Sequence, residues 1–239
     1  MKKLCLLLVG ILGITGWAGA AVYDLNADLD FSTNPDGVWS YGYAENGTPN
    51  LYNSVIWNVS GSTGLHVWCQ DNYPDGHGNV LKNTTGSDVS QPNWPNGMYW
   101  FAGKTHMMTS EFGAASGRST AVRFTAPAAG LYDIDVDFLK ATTGDVAVDV
   151  LVLMNGSSAL LSQRISNADA DAAYNGLGVS LALGDTIELL TVPVAGSGDH
   201  DGGFIITQVD AVITEVPEPA TLSLLAGGAV LGLLRRNRR

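Results

Sequence analysis

Cysteine, basic side chains and catalytic signatures are all scarce in this chain of 239 residues. It has two cysteines, and 12 lysines and arginines stand against 23 aspartates and glutamates. It contains no G-x-S-x-G elbow, phosphate-binding glycine loop or HExxH pair, which leaves serine hydrolases, P-loop proteins and zinc proteases without support. The four histidines lie apart, without the spacing of zinc ligands. We therefore expect a protein that is not an enzyme.

The first twenty residues, MKKLCLLLVGILGITGWAGA, have the layout of a secretory signal peptide. A positively charged start and an apolar stretch precede small residues that suit signal peptidase, so we expect cleavage after Ala20. The alternative is an uncleaved membrane anchor. Cleavage removes Cys5 and leaves Cys69 as the single cysteine, which excludes an internal disulfide. Because an exported protein meets oxidising conditions, we expect Cys69 to be buried.

The chain ends on VPEPATLSLLAGGAVLGLLRRNRR, a Pro-Glu-Pro turn followed by an apolar run and a basic cluster. As a helix at about 1.5 Å per residue, residues 220–234 would be about 22 Å long, enough for a thinned bilayer. Positive charge stays on the cytoplasmic side of a membrane, so the body would lie outside. The basic residues that flank this run are Arg235, Arg236, Arg238 and Arg239.

This ending resembles the PEP-CTERM sorting signals of exported proteins in Gram-negative bacteria. The resemblance implies that residues 215–239 are the sorting signal and that residues 220–234 hold the precursor in the inner membrane as a hydrophobic helix. It also implies processing by exosortase as well as signal peptidase, and a final place in the envelope, at the surface or in the extracellular matrix. The alternative is an ordinary tail anchor. The residues of the motif itself are Pro217, Glu218 and Pro219.

Removing both ends makes the charge of the body one-sided. Residues 21–216 contain six basic residues and 22 acidic ones. A body this acidic repels nucleic acid, so no nucleic-acid partner is expected.

Alternation of apolar and polar residues predicts strands. LYDIDVDF, residues 131–138, places four apolar side chains on one face and three aspartates on the other, as in a half-buried antiparallel strand. Residues 119–125, 145–154 and 203–214 are predicted as further strands, with the last one in a central position.

Turn residues divide the remaining sequence. The Gly-Asp pair at 184–185 predicts a hairpin between residues 178–183 and 186–192, and residues 166–176 are expected to form a loop. Together these patterns predict one all-β domain, residues 21–214, folded as an antiparallel β-sandwich or jelly roll. The order of its strands is similar to the jelly-roll domains of many PEP-CTERM proteins, which are themselves reminiscent of carbohydrate-binding modules.

Aromatic residues are concentrated in residues 39–100, which hold all five tryptophans that remain after signal cleavage. Because an aromatic ring can stack on the C–H face of a sugar, we predict a glycan site with Trp94, Tyr99 and Trp39 as candidates. For Trp94, packing in the core is the open alternative. The tryptophans in strand-like runs are predicted to pack in the core: Trp57, Trp68 and Trp100.

Calcium is the one ion for which the sequence offers ligands. Asp199 and Asp201 are two residues apart on a glycine-rich loop, a spacing that suits a hard cation. Three aspartates also line the face of the strand at residues 131–138. The alternative in both places is a solvated surface, and no other cofactor is expected.

The expected function is that of an exported, exosortase-sorted envelope or matrix protein with a non-catalytic β-sandwich associated with extracellular polysaccharide. The first alternative is a carbohydrate-binding module with a defined aromatic site. The second is a polysaccharide-active enzyme, since glycoside hydrolysis requires only two carboxylates across a cleft.

Overall fold

The computed structural model describes residues 20–45, 48–58, 63–71, 78–92, 97–110, 118–144, 146–166, 170–194 and 204–217. The predicted signal peptide, apart from its last residue Ala20, and the predicted sorting helix lie outside these residues. The first described strands are β1 (Val22–Asp24), β2 (Trp39–Glu45), β3 (Thr48–Leu51), β4 (Ser54–Trp57), β5 (Leu65–Cys69), β6 (Asn79–Asn83), β7 (Val89–Gln91) and β8 (Met98–Trp100). They are followed by β9 (Thr105–Ser110), β10 (Arg118–Thr125), β11 (Gly130–Lys140), β12 (Val148–Met154), β13 (Ser158–Ile165), β14 (Asp171–Leu181), β15 (Thr186–Pro193) and β16 (Phe204–Val216). A short helix, α1 (Leu25–Asp28), follows β1.

Two sheets pack face to face around one large core. The first sheet has the order β14-β11-β16-β9-β6-β5-β4, and β1 also pairs with β16. The second has the order β13-β12-β15-β10-β2-β3, and β7 pairs with β8 in a separate ribbon. Neighbouring strands are antiparallel throughout the described residues. The fold is an antiparallel β-sandwich of the jelly-roll class, as predicted.

The strand β11 shows why this sequence forms a sandwich. Its alternating apolar residues, Tyr132, Ile134, Val136 and Phe138, are all buried. They face buried side chains of the second sheet, among them Phe124, whose ring lies 6.0 Å from that of Tyr132. The aspartates between them point to the other face of the sheet. The predicted strand and its two faces are confirmed.

The last strand, β16, lies in the interior of the first sheet, in agreement with the central position predicted for it. It pairs with β11 on one side and with β9 on the other, and β1 pairs with it beyond the end of β9. The backbone N–H of Glu215 donates to the carbonyl oxygen of Ala21 at 2.8 Å. The beginning and the end of the described chain therefore meet on one strand.

Two predictions about residues 166–192 are wrong. No hairpin joins β14 to β15, because β14 pairs with β11 in the first sheet whereas β15 pairs with β10 and β12 in the second. The Gly-Asp turn between them, where Gly184 has a φ of +85°, carries the chain from one sheet to the other. Residues 171–176, expected to form a loop, are the first half of β14. Among the described strands β14 forms the edge of the first sheet, and it tolerates this many polar residues because most of its side chains are at least partly exposed to solvent.

Candidate functional site

Of the three predicted glycan residues, Trp39 is buried in the core and has no exposed ring face. Its side chain is 1% exposed, its ring meets that of Phe124 at 5.5 Å, and its Nε1 donates to the Asp28 carboxylate at 3.1 Å. Since stacking on a sugar requires an open ring face, this position does not suit the role predicted for it.

Tyr99 lies on β8 and is half-buried. The ribbon of β7 and β8 covers the outer face of the first sheet, where Met98 and Trp100 pack with residues of β5 and β6. The Tyr99 N–H fixes this ribbon by donating to the Ala141 carbonyl at 3.0 Å. Trp94 belongs to the segment that joins β7 to β8, but it lies outside the described residues.

Among the tryptophans predicted to be in the core, Trp68 and Trp100 are buried, at 5% and 3% exposure. Trp57 is not: its side chain is 57% exposed, so that prediction is wrong. The reason is its position, since β4 is an edge strand that pairs with β5 alone among the described strands. Trp57 is thus an exposed aromatic residue that the sequence pattern assigned to the interior.

Trp57 is part of a cluster of aromatic rings, here called the edge cluster, that also contains His66 and Phe31. His66 is the cross-strand partner of Trp57 on β5, and the two rings lie 4.5 Å apart at 67°. The Phe31 ring lies 5.9 Å from that of Trp57 and 5.5 Å from that of His66. Burial lowers the pKa of His66, which keeps its ring neutral near pH 7.

Polar groups lie beside the edge cluster. Asp30 and Ser32 flank Phe31 in the chain and are exposed, and the Asp30 carboxylate accepts hydrogen bonds from the Ser32 N–H at 2.7 Å and from its hydroxyl at 2.8 Å. These hydrogen bonds lower the pKa of Asp30. Lys82 lies on β6 as the cross-strand partner of His66. Its Nζ donates to the Leu29 carbonyl at 3.0 Å, and burial lowers the pKa of Lys82.

Asp137 of β11 is the cross-strand neighbour of Asp210 on β16, which lies in a network of polar side chains. Desolvation, followed by the charge of Asp135, raises the pKa of Asp137. Next to it, Asp210 accepts hydrogen bonds from Lys104 at 2.9 and 3.0 Å, and also from Gln208 and Asn26. Both carboxylate oxygens of Asp210 thus already accept hydrogen bonds from protein donors.

No group of three or more histidine, cysteine or acidic side chains within the described residues is placed to hold a metal ion. Asp199 and Asp201, the predicted calcium ligands, lie outside those residues. Their role stays a prediction.

A groove of about 210 Å³ lies over β2, β3 and β10 in the second sheet. Gly42 forms part of it, and a Cβ at this position would lie 2.0 Å from the Asn50 carbonyl oxygen, so the two strands approach closely only because Gly42 has no side chain. Beside Gly42, Arg123 pairs with Glu188 at 2.9 Å. The groove is smaller than the about 300–1,000 Å³ of typical small-molecule sites, which makes it the weaker candidate.

Comparison with known families shows what kind of segment the C-terminus is. Residues 215–239 match the family model of the PEP-CTERM protein-sorting motif. The chain ends in a PEP-CTERM motif. The resemblance predicted from the sequence is confirmed. A PEP-CTERM motif implies an exported, membrane-anchored precursor that exosortase processes and that is sorted to the cell surface.

The PEP-CTERM motif begins inside the fold. Glu215 and Val216 are the last residues of β16, and Pro217, which follows directly, is exposed. The rest of the motif, including Glu218 and Pro219, the apolar run and the arginines, lies outside the described residues. Within the described residues, no helix has the length and hydropathy needed to cross a membrane.

A search of curated proteins gave no match. Several solved structures are similar to the chain at low TM-score. One is the CBM36-1 domain of a multidomain xylanase from the hindgut metagenome of Trinervitermes trinervoides, with 14% identity over 60% of this chain and 100% of that one, and a TM-score of 0.30. A family 29 carbohydrate-binding module has 12% identity, 82% and 90% coverage and a TM-score of 0.31. The N-terminal cellulose-binding domain of β-1,4-glucanase C from Cellulomonas fimi has 11% identity, 56% and 91% coverage and a TM-score of 0.33. Similarity this low supports no statement on binding.

Proposed function

We propose that this chain is an exported, exosortase-sorted protein whose non-catalytic β-sandwich is displayed in the envelope or extracellular matrix of a Gram-negative bacterium, in association with extracellular polysaccharide. The observation that carries the proposal is the PEP-CTERM motif at residues 215–239. The motif concerns the fate of the protein, and the body has to be compatible with that fate.

The geometry of the two chain ends supports the proposal. β1 begins two residues after the predicted cleavage point at Ala20 and pairs with β16, whose last two residues belong to the motif. The Ala21 carbonyl and the Glu215 N–H are hydrogen-bonded at 2.8 Å. A signal peptide and a sorting tail attached here leave the sandwich at the same place. Both can then lie in one membrane without distorting the body.

The buried thiol also suits an exported body. Cys69 is fully buried on β5. A thiol that is shielded in this way is protected from oxidants outside the cytoplasm. The stability of the sandwich depends on the packing of apolar side chains, and the large core supplies this packing.

A carbohydrate-binding module with a defined aromatic site is the second candidate function. The exposed indole of Trp57 favours it, because a solvent-facing aromatic ring is the group that stacks on a sugar. This function is compatible with the first, since a displayed protein can also bind the polysaccharide around it.

The sorting proposal is tested by replacing the motif. We expect the triple variant Pro217→Ala, Glu218→Ala, Pro219→Ala to accumulate as an uncleaved precursor in the membrane fraction of a host with exosortase, while the wild-type chain reaches the surface or the medium. Pro127→Ala, which alters an exposed turn proline of the body, serves as the control and should be sorted normally. Equal distribution of the triple variant and the wild type would contradict the proposal.

A further inference from the structure

We propose that the edge cluster is a binding platform for a neutral polysaccharide, in which Trp57 stacks on a pyranose ring. This inference rests on the proposed association with polysaccharide and names the residues and the ligand class. Of the predicted glycan residues that the structure describes, neither Trp39 nor Tyr99 belongs to the edge cluster.

Two neighbouring rings hold the exposed indole of Trp57 in place. His66 and Phe31 meet Trp57 at interplanar angles of 67° and 63°. Rings at such angles contact one another edge to face, and none of the described ring pairs places a parallel ring over Trp57. With 57% of its side chain in solvent, the indole retains an accessible apolar surface. Such a surface matches the C–H face of a sugar ring.

The platform is anchored in the core. The Phe31 ring stacks at 6.1 Å and 24° on Trp68, which stacks in turn at 6.4 Å and 13° on the buried Tyr41. Trp68 also donates from Nε1 to the Asp30 carbonyl at 3.0 Å. A platform fixed in this way loses little conformational entropy when a ligand binds.

The polar groups near the platform point to a neutral glycan. The Asp30 carboxylate and the Ser32 hydroxyl are exposed on either side of Phe31 and can hydrogen-bond to sugar hydroxyls. Lys82, the cross-strand partner of His66, is half-buried and donates to the Leu29 carbonyl. The negative charges of Asp24, Asp28 and Asp30 act on its ammonium group. These aspartates would repel an acidic sugar. The negative net charge of the body, which has six basic and 22 acidic residues, would repel it as well.

A second copy of the chain is a poorer occupant. β4 has only four residues, so pairing along its free edge would form a short ladder. Stable protein interfaces bury about 800 Å² on each partner, whereas the apolar surface here centres on one indole among polar residues. Dimerisation is nevertheless an outcome that the experiment must detect.

The experiment is affinity electrophoresis of the exported protein in gels that contain hydroxyethylcellulose, galactomannan or the anionic polygalacturonate. We expect retardation by at least one of the neutral polysaccharides and none by polygalacturonate. Trp57→Ala should weaken the binding about tenfold or more, the scale expected for loss of an aromatic hot spot. Trp57→Tyr, which keeps an aromatic face, should restore most of the binding.

Leu177→Ala is the matched control, because Leu177 is an exposed apolar residue on the distant edge strand β14 and is 76% exposed. It should bind like the wild type. Near-UV circular dichroism and the melting temperature verify that each variant is folded.

Three outcomes would overturn the inference: no retardation of the wild type in either neutral gel, equal retardation of Trp57→Ala and wild type, or a concentration-dependent dimer that Trp57→Ala abolishes while sugar binding is absent. Sorting is measured in cells with the motif variant, so failure of the platform and failure of the proposed function give separate results.

Discussion

In the interior of the first sheet, β11 and β16 have neighbouring strands on both sides and their core-facing side chains are buried. At the edge of the same sheet, β4 has one neighbour among the described strands and Trp57 is 57% exposed. Trp39 and Trp57 make the contrast sharper, because each is a tryptophan at one end of a strand. Trp39 lies on β2, which is flanked by β10 and β3, and it is 1% exposed. The difference between the two tryptophans shows that the position of a strand in its sheet decides what an aromatic side chain does there.

The largest effect is expected from truncating the centre of the core. Phe124→Ala removes a buried ring that contacts the rings of Tyr23, Trp39 and Tyr132. We expect the free energy of unfolding to fall by about 3–5 kcal/mol, through lost burial and the cavity left behind. Urea denaturation measures it. A loss below about 1 kcal/mol would show that this part of the sandwich is not closely packed.

A pH-dependent effect of intermediate size is expected at His106. This histidine is fully buried on β9, its Nε2 accepts a hydrogen bond from the Phe101 N–H at 3.0 Å, and burial lowers its pKa to about 3. Because the unfolded chain binds the proton more readily, its contribution to stability is complete above about pH 6.5 and is lost progressively as the pH falls towards 3, by about 1.4 kcal/mol per pH unit.

The matching variant is His106→Gln, which keeps an acceptor for the Phe101 N–H but does not titrate. Its unfolding free energy should depend less on pH than that of the wild type between pH 6.5 and 5. Parallel curves for the two proteins would rule out a neutral, buried His106.

At the edge of the sheet, Trp57→Ala should cost little stability. Its indole is mainly in solvent, so we expect the free energy of unfolding to change by less than about 1 kcal/mol. Denaturation in the same series as Phe124→Ala gives a direct comparison of centre and edge. A loss similar to that of Phe124→Ala would mean that Trp57 belongs to the core after all.

The smallest effect is expected at the surface ion pair on β12 and β13. Arg164 binds both oxygens of Asp149, at 2.7 and 2.8 Å, but the pair is exposed. Exposed pairs contribute little to stability because water and salt screen them. Arg164→Ala should leave the denaturation midpoint unchanged within error, and a clear shift would show that the pair is shielded.

The features that the sequence predicts correctly are those encoded locally. The alternation in residues 131–138 defines both faces of β11 without knowledge of its neighbours, and the linear PEP-CTERM motif can be read directly. The hairpin prediction failed because the Gly-Asp turn at 184–185 specifies a change of direction, whereas the choice of sheet for β15 depends on β10 and β12.

The edge cluster could not be predicted for the same reason. Phe31, Trp57 and His66 come from three separate segments, and only the register of β4 with β5 brings the last two together. A tryptophan in a strand-like run is predicted to be buried unless it is known that the strand lies at the edge of its sheet. Only the assembled sheet reveals which aromatic ring faces solvent.

The proposed sorting is tested most directly by the intact mass of the protein recovered from the surface or medium of a host with exosortase. Export and exosortase processing should give a chain that begins at Ala21 and lacks the C-terminal arginines that end at Arg239. Recovery of the full chain from Met1 to Arg239, whether at the surface or in the cytosol, would contradict the proposed sorting.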